Sequence, residues 1–262
     1  MSKLRLFVLA GASLFVVSTI RAAGFADTVI AYDLGSGSAS GFTNASTALG
    51  APTSAANPFS PAFRNTQLLS IGAGGYLTVQ FSTPIANDPG NPYGLDFSIF
   101  GNSGFIITNG DFSGGGITDG SIFGNNPGAT RVSVSQDNVT YYQLNPFLAP
   151  VVDGMFPTDG SGNFQLPVNP LLTGSDFAGQ GLSGIRSLYN GSAGGTGFDI
   201  SWAQDNLGRS AALSEISFIR VDVLGGKSEI DAFAAVPEPA TLSLALLGLA
   251  TFGAMRWLSR RR

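Results

Sequence analysis

The sequence predicts an all-β fold, a single β-sandwich domain set between two apolar end segments. Three observations carry that reading. Short runs alternate between apolar and polar residues, as in Tyr76 to Phe81 (YLTVQF), where period two places Leu77, Val79 and Phe81 on one face of a strand. Glycine, 36 of 262 residues, is about twice its usual share and clusters between such runs, where turns need it. Away from the ends, Ala, Glu, Lys and Leu never combine into a helical period.

The first element, residues 1–26, opens with Lys3 and Arg5, continues through an apolar run from Leu6 to Ile20 and ends in the small residues Ala22, Ala23 and Ala26. That order is a secretory signal peptide, with the cut expected after Ala22 or Ala26. It makes the Sec translocon and signal peptidase the first expected partners.

The domain, residues 27–235, follows. Thr28 to Tyr32 (TVIAY) is a first strand, and Gly35 to Pro61 is a small, polar, glycine-rich loop. After the strand at Tyr76 comes Ile85 to Gly94, a turn dense in oxygen-bearing side chains. Leu95 to Phe100 (LDFSIF) then alternates, with Leu95, Phe97 and Ile99 expected inward and Asp96 outward. Arg131 to Ser135 and Val139 to Leu144 form a hairpin around Gln136-Asp137-Asn138. Gly174 to Tyr189 is the one candidate helix, and its glycines make it short or broken. Ile216 to Leu224 (ISFIRVDVL) is a strand with a slip near Ile219 that points to a bulge, Gly225-Gly226 turns the chain, and Glu229 to Val236 closes the fold.

Composition excludes whole classes of chemistry. There is no cysteine and no histidine, which removes disulfides, thiolate and imidazole metal sites, cysteine nucleophiles and the Ser-His-Asp triad. Between the end segments lie six basic and sixteen acidic residues, a net charge of −10. Such a domain disfavours nucleic acid and anionic membrane surfaces and favours solubility and divalent cations.

The last segment, residues 236–262, has three zones: Pro237-Glu238-Pro239, an apolar run from Ala240 to Met255, and a basic end with Arg256, Arg260, Arg261 and Arg262. The prolines make the tripeptide an extended spacer from which no helix can start. The apolar run is short of the roughly 20 residues a bilayer core asks for, and Trp257 and Leu258 extend it to a marginal transmembrane helix. Arginines beyond it hold that end on the cytoplasmic side. This order closely resembles the PEP-CTERM sorting signal of Gram-negative bacteria. The resemblance implies recognition of Pro237, Glu238 and Pro239 by exosortase, passage through an inner-membrane intermediate, removal of the tail, and a final place at the cell surface or in the extracellular matrix.

Two further resemblances concern the domain. RVSVSQDNVTYYQL, Arg131 to Leu144, resembles a hairpin of discoidin-like, galactose-binding-like jelly rolls, with Asn138 where that pattern usually has glycine; ISFIRVDVL and EIDAFAAV resemble their closing strand pair. Asn87 to Asn102 and Gly194 to Ala203 resemble the runs NDPxNPYGxDFxxFGN and GGxGFDxxWA of bacterial exported surface proteins. Together they imply a jelly-roll-like sandwich and a location more than an activity.

Candidate sites rest on residue chemistry. Hard cations take converging oxygens from turns, which makes Asn87, Asp88, Asp96, Asp199 and Asp231 candidate Ca²⁺ ligands. Tyr93, Tyr141 and Trp202 are aromatic groups able to stack on a sugar ring, with exopolysaccharide as the partner. The expected function is that of a non-catalytic, exported glycan- or Ca²⁺-binding module; the alternative is a polysaccharide-acting enzyme using a carboxylate pair.

Overall fold

The computed structural model describes residues 24–237, apart from 126–128 and 154–155. In chain order the strands are β1 (Thr28–Asp33), β2 (Leu69–Gly72), β3 (Tyr76–Ala86), β4 (Phe97–Gly101), β5 (Gly104–Phe105), β6 (Ile122–Phe123), β7 (Thr130–Ser135), β8 (Tyr142–Leu144), β9 (Thr196–Phe198), β10 (Ala203–Gln204), β11 (Glu215–Val223) and β12 (Lys227–Ala235). Two short helices, α1 (Gly174–Phe177) and α2 (Leu182–Tyr189), precede β9.

The strands form open antiparallel sheets. One has six strands in the order β1-β3-β11-β7-β8-β10, another four in the order β2-β12-β4-β9, and β5 and β6 make a small ribbon. The two larger sheets share one core. Leu77, Val79, Val132, Val134, Ile219 and Val221 come from the first, and Leu69, Ile71, Phe97, Ile99, Ile230 and Phe233 from the second. Burying each such side chain contributes roughly 1.5–3 kcal/mol, which makes this interface the main source of stability.

A further layer covers the outer face of the four-stranded sheet. Phe105, Phe156, Val168, Phe177, Ile185 and Tyr189 form a second apolar cluster there, and the Tyr189 hydroxyl donates to the Pro157 carbonyl at 2.8 Å. Phe100 and Ala234 turn outward from that sheet and pack with Ala193, Phe25 and Phe164. Strands β4 and β12 are therefore buried on both faces, whereas the six-stranded sheet keeps one face in water.

Several sequence expectations change here. The helical stretch is broken as expected, α1 and α2 being separated by residues 178–181. The register slip in β11 falls between Ile216 and Phe218, earlier than expected. Strands β11 and β12 are not a pair, because the intervening turn carries the chain from one sheet to the other. Asp96, expected in water, is fully buried, held by the N–H groups of Asp88 and Ile200 and by the Asn91 side chain. The C-terminal transmembrane helix is withdrawn. No helix among the described residues is long and apolar enough to cross a membrane. The segment expected to form it lies outside them, and its apolar run is itself shorter than a bilayer core requires.

Candidate functional site

The water-facing side of the six-stranded sheet carries a row of polar side chains set by register. Arg220 of β11 pairs with Thr78 of β3 on one side and Ser133 of β7 on the other; Ser133 pairs with Gln143 of β8, and Gln143 with Gln204 of β10. One step along, Asp222 lies between Tyr76 and Arg131. Alternation sends Val132, Val134, Ile219 and Val221 into the core, so Arg131, Ser133, Arg220 and Asp222 must share the opposite face. Arg131, Ser133, Tyr141, Gln143, Arg220 and Asp222 line an open groove of about 490 Å³, closed at one end by Gln204, Asp205 and Asn206.

The floor of the groove is an ion-paired triad. Asp222 Oδ2 accepts from Arg131 Nε and Nη2, each at 3.2 Å, and Oδ1 accepts from Arg220 Nε and Nη2, each at 2.9 Å. The Arg220 guanidinium also lies 3.7 Å from the centroid of the Tyr76 ring, a cation–π contact that fixes its plane. Asp222 is buried, while both arginines remain partly open to solvent. Two guanidinium groups around one carboxylate leave a net positive charge, and each Nη1 is free of that pairing. At the groove end, Asp205 takes Arg209 Nε at 2.8 Å and Nη2 at 2.6 Å, so its charge is matched, and these bonds hold its carboxyl below the usual range.

Tyr141 forms the rim. Its hydroxyl donates to Asn138 Oδ1 at 2.6 Å, and burial pushes its pKa up. Asn138 adopts a left-handed conformation (φ 62°), a backbone state that glycine favours and that Asn tolerates. Asp137 completes the turn by accepting from the N–H groups of Val139 and Thr140, both at 2.9 Å.

The expected Ca²⁺ ligands behave differently. Asp96 Oδ1 accepts from the Asp88 N–H at 3.0 Å and Asn91 Nδ2 at 2.9 Å, and Oδ2 accepts from the Ile200 N–H at 2.8 Å. Burial raises its pKa to about 6. Asp88 accepts from the Gly90 N–H, Asp199 from the Ser201 N–H at 2.6 Å, and Asn87 Nδ2 donates to the Leu213 carbonyl at 2.7 Å. These residues gather at one corner and are spent on holding loops. Asp231 is not among them: it lies roughly 13 Å back along β12 by strand rise, taking the Thr53 N–H at 2.8 Å and Thr53 hydroxyl at 3.0 Å. Among the described residues, no group of three or more Asp, Glu, Cys or His converges as a metal site would. Of the aromatic candidates, Tyr141 faces the groove, Tyr93 is exposed in the turn before β4, and Trp202 packs against the core.

The runs Asn87 to Asn102 and Gly194 to Ala203 meet in space. Phe97 pairs with Phe198 and stacks on it at 5.3 Å, and the Asp96 N–H donates to the Phe198 carbonyl at 2.8 Å. Strand β12 ends beside them, where the Val236 N–H donates to the Asp96 carbonyl at 2.8 Å. Residues 235–262 match the family described as PEP-CTERM protein-sorting motif. The chain carries a PEP-CTERM sorting motif, which supports export through the exosortase system. No curated protein matches it. Of the PEP-CTERM tripeptide, Pro237 is described and exposed; Glu238, Pro239, Arg256, Arg260, Arg261, Arg262 and, at the other end, Ala22 lie outside the described residues.

Sequence reasoning missed Arg131, Arg220 and Asp222. The signal was present in RVSVS and FIRVDV, whose polar positions carry charged groups where an ordinary water-facing strand would carry Ser or Thr. That those positions converge depends on β11 pairing with β7, some 90 residues away in sequence.

Proposed function

We propose that this protein, once exported, binds acidic polysaccharide of the cell surface or matrix through the groove on its six-stranded sheet, without catalysing a reaction on it. One observation carries the reading: the Arg131–Asp222–Arg220 triad puts net positive charge on a domain whose overall charge is −10. Arginine forks bind carboxylates with two parallel hydrogen bonds, and Gln143, Gln204, Ser133 and Tyr141 supply the neutral donors, acceptors and ring face that a sugar needs. Asp222 is fixed between two cations and Asp205 is paired with Arg209, so both act as scaffold. The carboxylates Asp199 and Glu229 sit level with opposite ends of β4, roughly 20 Å apart by strand rise, beyond the ~5–9.5 Å of glycosidase pairs.

Affinity electrophoresis of the exported protein tests this, in gels cast with alginate or with neutral dextran. Retardation that saturates with alginate and is absent with dextran is the expected result. Equal mobility in both gels would overturn the reading, and shortening of the alginate would show an enzyme instead.

A further inference from the structure

The segment 24–26 continues a sheet. Strand β2 flanks β12 only from Lys227 to Ile230. Beyond that point the edge of β12 is taken by Gly24, Phe25 and Ala26: the Ala26 N–H donates to the Phe233 carbonyl at 3.2 Å, the Ala235 N–H donates to the Gly24 carbonyl at 2.8 Å, and Phe25 bridges Ala234. Ala26 is fully buried in the main core, and its carbonyl accepts the Gly50 N–H at 2.9 Å. Phe25 meets the Phe164 ring edge-on at 6.5 Å. A chain beginning at Asp27 would lose these hydrogen bonds, open the edge of β12 and leave a void where Ala26 sits.

The other end of the same strand is bonded just as far. Gln165 Nε2 donates to the Ala235 carbonyl at 3.4 Å, and Val236 is buried with its N–H on Asp96. Pro237 is the first exposed residue after it. No spacer separates the folded edge from the sorting tripeptide, and the N-terminal segment lies alongside that edge.

Resting on the export reading, we infer that the fold bounds both processing cuts at this one corner: signal peptidase cuts on the amino side of Gly24, and exosortase on the carboxyl side of Val236. Ala26, although small and well placed for a leader cut, is a core residue of the mature protein. The leader and the sorting tail leave the domain side by side, so the corner holding Asp96 and Gln165 faces the membrane until both are removed.

Intact mass and terminal peptide mapping of the full protein recovered from outside its native host decide this. The inference expects an N-terminus at Gly24 or earlier and a C-terminus at Val236 or later. An exported chain that starts beyond Gly24, or ends before Val236, would overturn it while leaving export intact. Recovery of a chain with leader and tail both retained would overturn the export reading and this inference with it.

Discussion

Asp96 and Asp231 are aspartates kept away from water, and burial raises each to about 6. For Asp231 the two bonds from Thr53 offset only part of that burial. Each binds its proton more tightly in the folded chain than in the unfolded one, where the value is about 3.9. Their contribution to stability is therefore greatest at acid pH and is lost as pH rises through about 6. The opposite sign holds for Asp159, where Arg186 and Ser161 outweigh burial, and for Asp205 and Asp137, all lowered; what these contribute is lost as pH falls below the ordinary aspartate range. Thermal stability should peak near pH 4, between the two sets of shifts. Melting scans across pH should show Asp231→Asn flattening the decline between pH 4 and 7 by roughly 5–10 °C, the equivalent of about two pKa units at one site. An unchanged decline would mean that Asp231 is not the group responsible.

At the level of elements, the run from Gly194 to Ala203 is a folding signature. Gly194 and Gly195 both have left-handed backbones, and a Cβ on Gly194 would stand 2.3 Å from the Pro157 carbonyl oxygen. Gly194→Ala should cost about 2–4 kcal/mol and lower the melting temperature by roughly 5–10 °C, without altering glycan affinity in the protein that still folds. A loss of affinity at full stability would assign the run to binding instead. Strands β3, β7 and β11 were legible because one face meets water and the other the core, which writes alternation into the sequence. Asp96, just before β4, was misjudged because the turn residues Asp88 and Asn91 close over its carboxylate and keep water away. The latch on Asp96 also spans 104 residues, from Ile200, and no local pattern reports it. Strands β9 and β10, two or three residues long, fall below the length at which periodicity can be read.

Across the whole molecule, the two sheets divide the labour. The four-stranded sheet is sealed on both faces and carries β12 into the sorting motif, so it holds the domain to its export machinery. The six-stranded sheet is left with one wet face, and there Arg131 and Arg220, two of the domain's six basic residues, meet around Asp222. Because the groove lies on rigid strands rather than on loops, binding should need little reorganisation, and its charge-driven part should weaken as salt screens the arginines. Raising salt from low to several hundred millimolar should weaken alginate binding several-fold while leaving the melting temperature within a degree or two.

The groove was partly legible from sequence: Tyr141 was singled out as a ring face, the arginine pair was not. The most direct test of the account is calorimetric titration of an oligouronate into the exported protein and its Arg220→Gln variant. Charged hydrogen bonds of about 1.5–3 kcal/mol predict binding weakened by roughly 10- to 100-fold in the variant at preserved stability. Equal affinity in the two proteins would contradict the assignment of the groove.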